Sequence, residues 1–376
     1  MQESALYIHI PFCDHKCIYC DFYSIITTDN VSAYLNSLLE EINYYKEFYA
    51  QDRIYTSIYF GGGTPSLMEP KYINQIINRI KTNFEISKDA EITLETNPGT
   101  VNKNKLDEFF DIGINRLSVG VQSFDEEELK FLTRIHDKNT AVQTIKDASD
   151  AGFKNINLDL IFNLPKQTKE KWINNLDIAI DLPVTHISAY SLIIENGTVL
   201  NKMILDGKVR IQNEDYDAEL YETTMDFLED RDFVQYEVSN FAKKGFECRH
   251  NKAYWHYLDY LGLGTSAHSF MNNKRWWNYS NIRLYIEKVK KNGNAVSSYE
   301  LINSEQRFME YVMLSLRSDG INLSEFQNIF GNKWLTDKAE KLGELKLKQF
   351  ITFDDNYIKL TKSGYAVCDE ILSNIL

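Results

Sequence analysis

Leu6-Tyr-Ile-His-Ile-Pro-Phe-Cys13-Asp-His-Lys-Cys17-Ile-Tyr-Cys20-Asp-Phe22 opens on an apolar run and closes on three cysteines spaced C-x3-C-x2-C. The run Ala5–Ile10 reads as a strand, which places the thiols in the loop that follows it. Three thiolates on one short loop can hold three corners of a four-iron cluster. The fourth iron is then left without a protein ligand and open to chemistry, whereas four cysteines would make a closed electron carrier. A structural zinc is the alternative: it wants four ligands in a closed tetrahedron, and His15 or His9 could supply the fourth.

Outward from this loop, strand and helix alternate. Expected strands are Ser57–Phe60, Ile92–Glu95, Arg116–Val121, Asn155–Phe162 and His186–Leu192. Expected helices between them are Val31–Tyr49, Lys71–Phe84, Lys103–Asp111, Asn139–Ala151 and Thr168–Ile180, from apolar periodicity and glycine or proline stops. Six strand–helix units in a row imply a parallel sheet with helices outside. The fold class is therefore α/β, an incomplete (β/α)6 TIM-like barrel with a lateral opening, spanning residues 1–210. Residues 211–302 form a barrel extension, in which Glu214–Arg231 reads as a helix and Val234–Phe241 as a strand. Residues 303–376 read as a small winged-helix-like α+β module, with a helix at Gln306–Arg317 and a hairpin around Asp354-Asp-Asn356.

Hydrophobic content of 43% and charged content of 25% fit an ordinary globular protein. A net charge of −13 argues against general nucleic-acid binding, which needs a basic face. No apolar run approaches a membrane span, and Met1-Gln-Glu-Ser-Ala5 carries neither a basic region nor a cleavage signal. The chain thus reads as cytoplasmic, without membrane insertion; peripheral membrane contact stays open. Cys248 and Cys368 stand apart from the cluster and read as buried, unreactive thiols.

Polar and glycine-rich stretches recur directly after the strands, at the end where barrels and open α/β sheets place active sites. Gly61-Gly-Gly-Thr-Pro65 follows the second strand, and its backbone amides can approach a ligand because no side chains intervene. Glu95 closes the third strand, where a carboxylate could bind ribose hydroxyls. Gln122 closes the fourth, Arg134 lies beyond it, and Asp159 lies within the fifth. Each alone is the kind of polar residue any loop exposes; at the strand ends of one barrel they form a pocket.

The cysteine spacing, with Tyr7 ahead and Tyr19 between the last two thiols, resembles the radical S-adenosylmethionine (SAM) superfamily. That resemblance implies a [4Fe-4S] cluster on Cys13, Cys17 and Cys20. It also implies SAM chelated to the open iron and cleaved by an electron to methionine and a 5′-deoxyadenosyl radical. Tyr-Ile-His-Ile-Pro-Phe-Cys13, Gly61-Gly-Gly-Thr-Pro65, Ser118-Val-Gly-Val-Gln-Ser-Phe124 and Gly262-Leu-Gly-Thr-Ser-Ala267 are similar to the oxygen-independent coproporphyrinogen III oxidase group, the HemN-like proteins. By that similarity Tyr7, Gly62, Gly63, Thr64, Glu95, Gln122, Arg134 and Asp159 are SAM-binding positions, and Ile193 and His268 align with the remaining contacts.

Two departures separate this chain from the oxidase. Phe22 stands where the oxidase motif has a further cysteine, and only six residues precede Tyr7. Both are typical of a sister family, the haem chaperone HemW, whose mark His-Asn-x-x-Tyr-Trp stands here as His250-Asn-Lys-Ala-Tyr-Trp255. The resemblance implies haem as cargo, delivered to haem-requiring proteins such as respiratory ones, with the cluster and SAM pocket retained. The alternative is oxygen-independent coproporphyrinogen III dehydrogenase or another radical SAM porphyrin-modifying enzyme. Whether the chain is an enzyme stays open, and no residue is assigned a catalytic role. A radical SAM enzyme acting on RNA is disfavoured by the acidic balance. Monomer and homodimer both stay open.

The residues around the mark suit haem. Imidazole is a common axial ligand, so His250 is the candidate, with Cys248 as a rival thiolate. Tyr254, Trp255, Trp276 and Trp277 could cover a flat macrocycle. Lys243, Lys244, Arg249 and Lys252 form a basic patch that would suit propionates.

Overall fold

The computed structural model describes Met1–Leu376 except Thr28. Its centre is a run of six parallel strands in chain order: β1 (Gln2–Ile10), β2 (Arg53–Gly62), β3 (Ile86–Thr96), β4 (Arg116–Gln122), β5 (Asn155–Phe162) and β6 (His186–Ser191). This is the expected partial barrel. The helix Val31–Tyr49 connects β1 to β2, and Pro70–Asn83 connects β2 to β3. Lys103–Asp111, Lys138–Asp150 and Lys169–Ile180 complete the outer layer. Several of these helices start where a side chain replaces a missing backbone partner. Asn102 accepts from the Lys105 N–H, Asp137 from Thr140 and Thr168 from Lys171.

Residues 211–302 extend the same sheet at both edges. The hairpin β7 (Val234–Glu237) and β8 (Asn240–Ala242) joins antiparallel to β6. The stretch Val234–Phe241 is thus two short strands turning at Val238-Ser239, not the single strand its apolar content suggests. At the other edge β9 (Asp259–Leu263) pairs parallel with β1, followed by β10 (His268–Met271), β11 (Lys274–Asn278) and β12 (Val296–Leu301). The result is one 12-stranded mixed sheet, β12-β11-β10-β9-β1-β2-β3-β4-β5-β6-β8-β7.

Period-two alternation decides what faces what. On β4, Leu117, Val119 and Val121 are buried in the main core under the helices, while Ser118, Gly120 and Gln122 face the barrel's inside. On β5, Ile156, Leu158 and Leu160 take the outer face, and Asp159 and Ile161 the inner one. The apolar core therefore lies between sheet and helices, and the interior of the barrel is polar.

The C-terminal module has its own core, built on Val312, Leu316, Ile321, Phe326, Leu342, Ile358 and Ile371. Its sheet orders β13 (Ile321–Asn322), β15 (Tyr357–Leu360) and β14 (Ile351–Phe353), with the expected hairpin between β14 and β15. The module docks by the β7–β8 turn: the Val238 N–H donates to Arg317 O at 3.0 Å, and Tyr365 packs against the barrel core. No helix among the described residues is long and apolar enough to cross a membrane.

Candidate functional site

A cavity of about 500 Å³ occupies the C-terminal end of the barrel strands. Cys13, Cys17 and Cys20 line one wall, and Gly62, Gly63, Thr64, Glu95, Gln122, Arg134 and Asp159 line the others, with Ile193 at the rim and 66% exposed. These expected positions are brought together from a loop and five strand ends.

Backbone contacts seat the cysteine loop on the glycine loop. The Gly63 N–H donates to Ile10 O at 2.8 Å and the Thr64 N–H to Phe12 O at 2.7 Å. A methyl group at Gly63 would stand 2.6 Å from Phe12 O, so only glycine allows this approach. Gly62 sits at φ +114°, where a Cβ would meet the His9 ring at 2.6 Å. The thiols are then tied to both sides of the cavity. Cys13 Sγ lies 3.3 Å from Thr64 Oγ1, and the Arg134 guanidinium donates to Cys17 Sγ at 3.5 Å. The same guanidinium donates to Asn97 Oδ1 and to Gly120 O, each at 2.6 Å, and Asn97 in turn donates to Thr64 Oγ1 at 2.9 Å. Arg134 Nε and His15 Nε2 are buried at the cavity without a partner among the described residues.

The donor set fits an iron–sulfur cluster better than zinc. Among the described residues, no three His, Cys, Asp or Glu side chains converge on one point as a single ion requires. A four-iron cluster places each thiolate on its own iron and makes no such demand.

The far wall is a carboxylate wall. Glu95 accepts from Tyr59 Oη at 2.9 Å and from the Gly62 N–H at 3.1 Å. Burial, then the neighbouring Asp159, pushes its pKa up to about 7. Asp159 is also raised, chiefly by burial, and accepts from Ser118 Oγ and Asn157 Nδ2 at 3.1 and 2.7 Å. Gln122 adopts φ +70°, a left-handed conformation, at a register shift between β4 and β5. Backbone strain of this kind persists where surrounding structure enforces it.

Tyr7 and His268 lie just off this cavity. Tyr7 sits beneath the glycine loop, its hydroxyl hydrogen-bonded to His9 Nδ1 at 3.2 Å and its ring stacked on Tyr59. His268 opens β10 and stacks on Trp277 at 5.7 Å.

The expected haem constellation is not assembled. His250 is 2% exposed, with Nδ1 hydrogen-bonded to Ser57 Oγ and Nε2 to Tyr254 Oη, both at 3.0 Å. An axial ligand needs a free nitrogen, and in this structure both ring nitrogens of His250 are engaged and the ring is buried, so the expected axial ligand is not presented to a cavity. Cys248 is fully buried and its thiol is pushed up to about 12, mainly by burial, so it is no thiolate. Trp276 belongs to the core, donating to Tyr45 Oη, and so shares no surface with Trp255. The basic patch is partly spent: Arg249 pairs with Asp89 at 3.0 Å, and Lys252 lies 4.0 Å from Asp319.

Residues the sequence reading passed over include Tyr59, Asn97, Ser118 and Tyr190, all lining the cavity. The alternation of Arg116, Ser118, Gly120 and Gln122 with Leu117, Val119 and Val121 was a signal for an inner polar face.

Comparison with known proteins follows the same lines. The radical SAM superfamily model matches residues 7–179, and the HemN C-terminal domain model matches residues 302–367. The chain is 31% identical over 377 residues to the Heme chaperone HemW of Lactococcus lactis, covering 100% of this chain and 98% of the relative. To the Heme chaperone HemW of Bacillus subtilis it is 32% identical over 375 residues, covering 99% of each. The coproporphyrinogen III oxidase HemN of Escherichia coli, a solved structure, superposes with a TM-score of 0.85 at 24% identity, over 100% of this chain and 90% of that one. That last likeness is one of fold.

Proposed function

This chain belongs to the HemW family within the radical SAM superfamily, and on that premise we propose that it binds haem and hands it to haem proteins, on a core holding a [4Fe-4S] cluster and SAM. Kinship with the HemW relatives carries the haem part of the reading, and the cavity that puts three thiols opposite a glycine loop and a carboxylate wall carries the cluster and SAM part. Cys13, Cys17 and Cys20 would hold the cluster. Gly62 and Gly63 offer backbone approach to the methionyl end of SAM, Arg134 a cation for its carboxylate, and Glu95 and Asp159 acceptors for ribose hydroxyls. When bound, the cluster supplies an electron-donating iron beside a sulfonium ligand. The protein's share is to orient that ligand and keep water from it. The recipients are haem-requiring proteins of the cytoplasm or its membrane face.

Phe22 lines the mouth and is 62% exposed, an apolar rim where the oxidase motif has a cysteine. The test is a haem titration of cluster-reconstituted protein. A shifted Soret band and haem co-eluting on gel filtration are expected; free haem in both would sink the carrier reading. Protoporphyrinogen formed from coproporphyrinogen III, SAM and reductant would replace it with the oxidase reading.

A further inference from the structure

We propose that His250 is a positioning residue for the SAM wall, acting through Tyr59 on Glu95, and that the His250–Trp255 segment belongs to the SAM site's support. The inference rests on the reading of the barrel cavity as the SAM site.

Three layers of contact carry it. First, the segment is anchored under the barrel. Arg249–Trp255 is a short helix whose start is held by Glu91 of β3, which accepts from the Arg249 N–H at 3.2 Å and the His250 N–H at 3.3 Å. Cys248 donates its thiol proton to the same carboxylate at 3.4 Å. Second, the His250 ring is locked by hydrogen bonds at both ends, to Ser57 of β2 and to Tyr254 one turn on. Burial keeps it neutral, lowering its pKa to about 3. Third, this fixed ring stacks on Tyr59 at 4.9 Å and 26°, and Tyr59 donates to Glu95 Oε1 at 2.9 Å.

Tyr59 also stacks on Tyr7 at 6.3 Å, and the glycine loop passes close over both rings. A Cβ at Gly61 would stand 3.0 Å from the Tyr59 ring, 3.0 Å from Tyr7 and 3.1 Å from Glu95 Oε1. The tyrosine is thus clamped between His250 below and the glycine loop above, and its hydroxyl holds Glu95 Oε1 while the Gly62 N–H holds Oε2. Supports of this kind around a binding site typically change affinity about 10–100-fold when removed.

The experiment measures SAM and haem affinity on the cluster-reconstituted full chain, for wild type, His250→Ala, Tyr59→Phe and the double variant. His250→Ala should weaken SAM about tenfold and leave haem affinity unchanged. Tyr59→Phe should weaken SAM comparably, and the double variant should be no worse than either single one, because both break one chain of contacts. His250→Asn, which keeps a polar group for Ser57, should recover part of the loss and guards against a misfolded alanine variant. Wild type binding SAM while His250→Ala binds it equally well would overturn the positioning role alone. Strictly additive losses would overturn the route through Tyr59. Lost haem affinity with intact SAM affinity would return His250 to haem. Failure of the wild type itself to bind SAM would instead remove the cavity reading on which the inference rests.

Discussion

Glu95→Gln should stabilise the folded chain at alkaline pH while weakening the ligand site. The wild-type carboxyl is enclosed by the barrel, with its pKa raised from 4.5 to about 7 by burial and by Asp159. At 1.36 kcal/mol per unit, that shift corresponds to about 3 kcal/mol. Solvent reaching the cavity screens part of it, leaving about 1–2 kcal/mol. The sign follows from proton linkage. Below the ordinary carboxyl range both states are protonated and the side chain costs nothing. As pH rises, the unfolded chain ionises first, and the folded state loses this contribution by the time pH passes about 7. Glutamine has no such titration. Its oxygen can accept from the Gly62 N–H, and its amide can donate to the Tyr59 hydroxyl, which turns to accept. Urea unfolding at pH 5 and pH 8.5 should therefore show the variant equal to or slightly below wild type at the lower pH. At the higher pH it should be more stable by about 1–2 kcal/mol. SAM affinity should fall about 10–100-fold, the value of charge-assisted hydrogen bonds to ribose hydroxyls. A stability difference that is the same at both pH values would refute the buried, raised carboxyl. Unchanged SAM affinity would take Glu95 out of the site.

Three further outcomes are expected. Gly63→Ala drives a methyl group into Phe12 O at 2.6 Å and should displace the cysteine loop, read as lower iron retention after reconstitution than wild type. Cys17→Ser removes one thiolate and should bleach the brown chromophore; an unchanged iron content would contradict its place in the cluster. Glu41→Ala strands the Gly264 N–H, Tyr285 Oη and Asn278 Nδ2, all hydrogen-bonded to one fully buried carboxyl, and should cost about 2–5 kcal/mol in urea unfolding.

The barrel was readable because strand and helix signals are local. Val31–Tyr49, Lys103–Asp111 and Asn155–Phe162 have the bounds that periodicity and stop signals give. The Val238-Ser239 turn carries neither glycine nor proline, and the alternation of Val234, Tyr236 and Val238 hides it; the break in that alternation at Ser239-Asn240 is its only local mark. The helices Glu126–Phe131 and Val199–Leu205 are under two turns long, too short for an apolar stripe to repeat clearly. For the site, glycine spacing and strand-end position found Gly62, Gly63, Thr64, Glu95, Gln122, Arg134 and Asp159, because each marks where a strand stops and a loop must approach something. Nothing local marked Asn97 as the residue that joins Thr64 to Arg134.

By itself the sequence determined the order of the strands, the cysteine loop after the first of them, and the family. Each of those is a pattern along the chain, set by side-chain period and spacing. Only the tertiary structure decided which side of the sheet His250 lies on. A histidine two residues from a cysteine and four from a tyrosine looks equally suited to a metal and to a core. The choice depends on Ser57 and Glu91, which stand 193 and 159 positions away and close over it in the fold. Burial and paired hydrogen bonds, which no spacing encodes, engage both ring nitrogens of the candidate haem ligand.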